Sequence, residues 1–288
     1  VGSISPAFGP MVGGTSITVT GSNFGFSKGL KCRFGTVDVQ AGFVSSSEIV
    51  CVSPPSSVTA PSAVSVSVSN NGLDFVGGDA FPFSFVASVA VLSLSPKRGS
   101  MHGGTSVTVI GSGFEEGSTS CKFGEAASPK VVFVSATEVV CESPEALFVG
   151  GVSVEVSTNG VDFTSDAAQF QFLDDAAVIS LEPSRGGIEG GTSVLITGYN
   201  FVDSNSLKCK FDATEVNGRF ISSTQLECVS PASMAGVVTV EVSLNGVEYT
   251  VSEKSFTFAA GLVVGSISPA FGPMVGGTSI TVTGSNFG

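Results

Sequence analysis

Six cysteines carry the reactive chemistry of this sequence: Cys32, Cys51, Cys121, Cys141, Cys209 and Cys228. The first of each pair sits in a Cys-basic-Phe run: Cys32-Arg33-Phe34, Cys121-Lys122-Phe123 and Cys209-Lys210-Phe211. The second comes 19 or 20 residues later (32 to 51, 121 to 141, 209 to 228) in Cys-x-Ser-Pro. A pair that recurs at matching positions argues for three disulfides, Cys32–Cys51, Cys121–Cys141 and Cys209–Cys228. Zinc needs four ligands in close sets, and one His with no Cys-x-x-Cys does not supply them. The competing reading is an intracellular chain with buried, reduced thiols. Paired cysteines imply an oxidising compartment, so the chain is expected outside the cell. Closing a loop of about 20 residues contributes roughly 3 kcal/mol to each unit.

Other reactive constellations fail on inspection. His102 is the one histidine, and Val12 and Glu189 stand at its counterpart positions. With one histidine and all cysteines paired, neither a Ser-His-Asp nor a Cys-His arrangement can be built. Gly111-Ser112-Gly113 lacks the Lys and the following helix that a phosphate loop needs. Glu115-Glu116 and Asp174-Asp175 read as solvated charge, the second pair with interdomain cation binding as its alternative. No catalytic, metal-binding or cofactor-binding residue is therefore expected, and no cofactor. The net charge is -12, with 12 Lys and Arg against 24 Asp and Glu. A nucleic-acid binder carries a basic stripe to neutralise phosphates, so nucleic acid is excluded as a partner. No run approaches the roughly 20 apolar residues of a spanning helix. There is no Asn-x-Ser/Thr sequon. The Ser-Pro stretches, at Ser53, Pro54, Pro55, Ser143, Pro144, Ser230 and Pro231, are candidate positions for O-linked or hydroxyproline-linked glycans.

The scaffold that must position the cysteines is repetitive. Residues 1–25, VGSISPAFGPMVGGTSITVTGSNFG, match 91–115 at 15 positions, 178–202 at 12, and 264–288 at all 25. Gly-Gly-Thr-Ser leads into an alternating strand in each unit (Ser16 to Thr20 in the first), and period-2 alternation marks a strand with one buried face. In Cys-basic-Phe, positions i and i+2 share a face, so Cys and Phe point inward and the basic residue outward. Phe24, Phe114 and Phe201 read as core. Asn71-Gly72, Asn159-Gly160 and Asn245-Gly246 lie between alternating strands and predict type I′ hairpins with φ > 0 at both centres. Phe-x-Phe closes each unit (Phe83 and Phe85, Phe170 and Phe172, Phe256 and Phe258). Short strands with regular turn signals predict an all-β sandwich. The expected domains are 1–87, 88–174, 175–260, and 261–288 as the first strands of a fourth.

The ordered motifs Pro…Gly-Gly-Thr…Gly-x-Asn-Phe…Cys-x-Phe…Cys-x-Ser-Pro…Asn-Gly resemble the IPT/TIG domain, which implies an immunoglobulin-like sandwich in tandem. The second unit departs at Gly113, where the others carry Asn23 and Asn200; Gly tolerates the same turn geometry. Family members include receptor ectodomains, transcription factors, accessory domains of starch-acting enzymes and large cell-surface repeat proteins. The cysteine pair points to the extracellular ones. The unchanged match of 264–288 to 1–25 predicts a 263-residue block repeated in a longer polymer. Short linkers predict a semi-rigid array. The charged fraction, 12%, predicts surfaces covered by neighbouring chains or covalent glycans. The expected function is a structural subunit of an extracellular filament or surface appendage, mastigoneme-like, that self-associates with further copies. Its alternatives are the stalk of a receptor or adhesin and a noncatalytic carbohydrate-binding array on a secreted enzyme. The lack of Trp, with Tyr199 and Tyr249 alone as tyrosines, weighs against the last.

Overall fold

The computed structural model describes residues 1–57 and 60–287. Gly288, the last residue of the 25-residue identity, lies outside them. The chain divides into two units, 1–172 and 173–288. The first holds two of the sequence repeats; the second holds the third repeat and the start of another.

Alternation in the sequence becomes alternation in burial. In Ser16–Thr20, Ile17 and Val19 are fully buried while Ser16 and Thr20 face solvent. In the first repeat the strands order as Ser3–Ser5, Ser16–Thr20, Glu48–Val52, Val37–Ser45, Lys31–Phe34, Ser62–Ser69, Val76–Val86 and Phe8–Pro10. Val37–Ser45 belongs to both layers. Its first half pairs with Lys31–Phe34 and its second half with Glu48–Val52. The third repeat keeps the same order, with Thr214–Ser222 as the shared strand.

The second repeat departs at this strand. Ala126–Ala127 and Val131–Ser135 replace one continuous strand, and the sheets separate into five and four strands. Pro129 lies in the break. Proline has no N–H to donate to a ladder. The Ser128 hydroxyl sits in the gap, 2.8 Å from the Lys130 carbonyl and 2.7 Å from that of Glu142, with one proton to donate between them.

Each repeat opens with a chain that changes sheets. Ser3–Ser5 pairs antiparallel with Ser16–Thr20; after Pro6 the chain crosses, and Phe8–Pro10 pairs parallel with Val76–Val86. The peptide bonds before Pro6, Pro96, Pro183 and Pro269 are cis. Arg185–Gly187 makes the same parallel pairing with Lys254–Ala259 in the third repeat. The final segment shows one antiparallel pair, Val263–Ser268 with Thr281–Ser285.

Each repeat has its own core. Phe34, Phe83 and Phe85 pack edge to face, with centroids at 5.5 Å and 5.2 Å. Phe123, Phe170 and Phe172 repeat this, as do Phe211, Phe256 and Phe258. Such pairs contribute about 0.5–1.5 kcal/mol beyond the area they bury. Phe24, Phe114 and Phe201 are also buried. The residue before each lies in the left-handed region: Asn23 (φ 62), Gly113 (φ 78) and Asn200 (φ 60). The Asn-to-Gly change at 113 thus preserves one backbone conformation.

The Asn-Gly turns are not type I′. Gly72, Gly160 and Gly246 have positive φ, but their asparagines do not. Instead Asn71 Oδ1 accepts the N–H groups of Leu73 and Asp74, both at 2.9 Å. Ser69 Oγ accepts from Gly72 N–H at 2.9 Å. Asparagine side chains readily substitute for backbone in such Asx turns. The loop is therefore longer than a two-residue hairpin, and its asparagine is fixed by its side chain.

Truncating the centre of an aromatic trio should be costly. Phe170→Ala removes a fully buried ring and should destabilise by roughly 3–5 kcal/mol, whereas Phe170→Leu should cost less. Urea unfolding with unchanged slope would measure both.

Candidate functional site: the sulfur bridges and the joint between repeats

The structure joins Cys32 to Cys51, Cys121 to Cys141 and Cys209 to Cys228, with Cα atoms 6.3, 6.3 and 6.4 Å apart. All six residues are buried. In the first repeat Lys31–Phe34 lies in one layer and Glu48–Val52 in the other, so the bridge ties the two sheets through the core. No group of three or more metal-ligating side chains occurs among the described residues. Asp174 and Asp175 are exposed.

The basic residue between Cys and Phe does face outward, onto an aromatic ring. The Arg33 guanidinium lies 3.7 Å from the Phe75 ring centre, Lys122 4.7 Å from Phe163, and Lys210 4.4 Å from Tyr249. Each ring stands four residues after the turn asparagine (71 to 75, 159 to 163, 245 to 249). This contact couples the cysteine strand to the Asn-Gly loop, and the sequence reading missed it. Its signal was the recurring Asn-Gly-x-acid-aromatic run. Arg33 also donates from Nε to Asp38 at 2.6 Å, and Lys122 pairs with Glu155 at 2.9 Å. In the third repeat the buried Glu241 carboxylate accepts the N–H groups of Ser252 and Glu253 and the Thr250 hydroxyl.

The acidic residue of that run has a second task, visible within residues 1–172. The Thr15 hydroxyl of the first repeat donates to Asp162 Oδ2 of the second at 2.7 Å. Asn159 Nδ2 donates to the same carboxylate oxygen at 2.7 Å and to the Phe8 carbonyl at 2.9 Å. The turn of the second repeat thus sits on the Gly-Gly-Thr corner of the first, beside a cleft of about 280 Å³. Thr15 is fully buried there. Its own N–H donates to Ser53 Oγ at 3.1 Å, and Gly14 N–H donates to the Ser53 carbonyl. Gly9 must be glycine, because a Cβ there would lie 1.9 Å from Thr15 Oγ1.

The Ser-Pro candidates fare unevenly as glycan positions. Ser53, Ser143 and Ser230 are buried, and each hydroxyl accepts the N–H of Thr15, Thr105 or Thr192. Those serines are structural, which corrects the reading of them as attachment points. Pro54, Pro144 and Pro231 are half-buried, and Pro55 is exposed.

Disulfide-bonded antiparallel sandwiches in series, the first two joined by a polar corner contact, define a tandem immunoglobulin-like extracellular array. The sequence profile of the IPT/TIG domain matches residues 1–85, 90–172, 176–258 and 262–288. The chain belongs to the IPT/TIG domain family. It is 30% identical to human fibrocystin-L over 294 residues, covering 99% of this chain and 7% of that protein. It is 30% identical to human plexin-A2 over 240 residues (78% of this chain, 12% of the plexin). Identity to human plexin-A3 is 26% over 248 residues, covering 81% and 13%. A solved structure of the plexin A4 full extracellular region aligns at 21% identity and TM-score 0.46, over 95% of this chain and 26% of that one. The chain therefore spans only a small part of the curated relatives it matches. Its setting is extracellular, at the cell surface or secreted, in line with three disulfides. Among the described residues no helix is long and apolar enough to cross a membrane.

Thiol chemistry and acid each give a test. Native protein should show no thiol reactive toward a maleimide before reduction, and the Cys32→Ala/Cys51→Ala pair should lower unfolding free energy by roughly 3 kcal/mol. The second test concerns acid. A hydrogen bond from Arg33 holds the Asp38 carboxyl below its ordinary range. Lys208 does the same for Glu215, and Ser193, then Arg219, for Glu227. A carboxyl depressed in the folded state adds stability above its unfolded pKa, about 3.9 for Asp and 4.3 for Glu. That stability is lost as pH falls through the folded value. Melting temperature should therefore hold from neutral pH to about 5 and drop below about 4. The Glu227→Gln variant should show a shallower drop.

Proposed function

We propose that these repeats form a noncatalytic stalk in the ectodomain of a cell-surface receptor or adhesin, holding a binding element away from the membrane. The supporting observation is family membership along the whole chain together with the joint at Thr15 and Asp162. The proposed domain limits are 1–87, 88–174, 175–260 and 261 onward. A stalk needs modules that resist unfolding and joints that resist bending. Internal sulfur bridges serve the first need. The second is served by a short connection, Ala87 to Val89, between the last strand of one repeat and the first of the next. Receptor-type repeats in fibrocystin-L and the plexins support this reading over others.

One observation favours a second reading, a filament subunit: residues 264–288 duplicate 1–25 without a change. Duplicated units drift, as the other repeats show, so a recent block duplication is implied. A filament would carry many near-identical blocks and self-associate laterally, with covalent glycans on Pro54, Pro55, Pro144 and Pro231.

Negative-stain microscopy of this chain and of a tandem doubled version separates these readings from a compact array. The stalk predicts single, extended particles whose length grows in proportion to repeat number. Particles that stay compact on doubling would refute it, and ordered side-by-side bundles would favour the filament.

A further inference from the structure

We infer that, of the four Asn-Gly dipeptides in the chain, Asn217-Gly218 is the site of spontaneous deamidation and isomerisation, and that a buried serine keeps the other three, at the turns, chemically closed. The inference is independent of the stalk and filament readings.

Asn-Gly is reactive because glycine has no Cβ to hinder its nitrogen. That nitrogen loses its proton and attacks the asparagine Cγ, and the side-chain nitrogen leaves as ammonia. Water then opens the succinimide ring at either carbonyl. The products are aspartate and isoaspartate, the second with its backbone running through Cβ. Water is the only co-reactant. Ring closure needs a glycine N–H that can be released and a carboxamide that can swing onto it.

The three turns oppose both. Gly72, Gly160 and Gly246 donate their N–H groups to Oγ of Ser69, Ser157 and Ser243 at 2.9, 3.0 and 2.8 Å. Those serines are buried. Each serine hydroxyl in turn donates to Oδ1 of the turn asparagine, at 2.9, 3.1 and 3.2 Å. Oδ1 also accepts the N–H groups two and three residues on. Nδ2 donates to the carboxylate of Asp74, Asp162 or Glu248. Each turn carboxamide is thus tied at both ends.

Asn217 lacks these ties. It lies in Thr214–Ser222 with its side chain exposed and, among the described residues, without a hydrogen-bond partner. Gly218 N–H donates to the Leu207 carbonyl at 2.9 Å. A held glycine N–H is therefore common to all four sites, and the carboxamide makes the difference. A typical hydrogen bond corresponds to about a fivefold factor in rate, so the turns should convert on the order of a hundredfold more slowly than Asn217. The position also gives conversion a structural effect. The strand changes sheets here: Asn217 pairs with Lys208 and Gly218 with Cys228. Isoaspartate adds a backbone carbon between those two pairings. The first repeat carries Gln40-Ala41 at the same crossing, so this weakness belongs to the third repeat. At the joint, by contrast, a carboxylate at 159 would replace the amide that donates to Asp162 and the Phe8 carbonyl. Ser157 protects that contact.

Incubating the intact chain at mildly alkaline pH and mapping its peptides by mass tests this, with a urea-unfolded sample alongside. Unfolded, all four asparagines should convert at similar rates. Folded, Asn217 should convert first, and Asn71, Asn159 and Asn245 on the order of a hundredfold more slowly. Asn217→Gln should remove the early product. Ser157→Ala should speed Asn159 and leave Asn71 and Asn245 slow. A folded parent chain in which any turn asparagine keeps pace with Asn217 overturns the inference. So does an Asn217 that stays intact while the unfolded chain converts, or a Ser157→Ala protein whose Asn159 is as slow as the parent's.

Discussion

Two sheets must be held face to face over a core about 10 Å thick, and in each repeat one covalent bond spans that gap. Cys32 and Phe34 point inward from one sheet, Ile49 and Cys51 from the other, and all four are buried in a single cluster. The bridge works with the aromatic trio. A repeat of under 90 residues buries a limited fraction of its surface, so the link between sheets complements a small core. Everything at the surface depends on this registration. In the second repeat the strand that holds Cys121 also holds Lys122, and Lys122 lies over Phe163 beside the Asn159 turn. The position of the joint-forming turn is thus set, through one stacked pair, by the strand that the sulfur bridge anchors.

Much of this was legible because burial has a period of two. Ser-Ile-Thr-Val-Thr and Cys-Arg-Phe state which side chains are inside, and repetition at fixed spacing confirms the pattern. What escaped the sequence falls into three physical kinds. The Asn-Gly turn was read from backbone preference alone, but the Asn71 side chain accepts two N–H groups and holds its own φ negative. The broken strand of the second repeat turns on Pro129, one missing donor in a nine-residue strand of the other repeats. The joint pairs Thr15 with Asp162, 147 residues away. No local pattern marks such a contact. Only comparison of the repeats does, since Thr recurs after Gly-Gly and an acid recurs three residues after each turn asparagine.

The joint also shows how these sandwiches handle their edges. A free sheet edge offers unpaired backbone groups and invites pairing with other chains. Phe8–Pro10 is an edge strand of three residues that ends in proline, and Arg98–Ser100 and Arg185–Gly187 are as short. The outward carbonyl of Phe8 accepts the Asn159 amide. A group that could have started lateral sheet growth is committed instead to contact along the array. Side-by-side packing through these edges is therefore disfavoured where the axial joint is made.

The low charge of the chain fits the same division between edges and faces. Exposed Val52 and Val229 each follow a buried cysteine at a strand end, and exposed Val44 and Val134 sit where the strand register shifts. Scattered single apolar residues on strand faces are normal in soluble proteins, and β-branched side chains favour the extended backbone. The valines and threonines of the outer faces are accounted for by strand formation itself. Few charges are then needed to specify the fold, and several of those present pair across adjacent strands: Arg33 with Asp38, Lys122 with Glu155, Arg219 with Glu227. Each of these pairs spans neighbouring strands of one sheet. Within residues 1–172 the contact between repeats accordingly lies in one polar corner, Thr15 and Phe8 against Asn159 and Asp162, rather than in the broad faces.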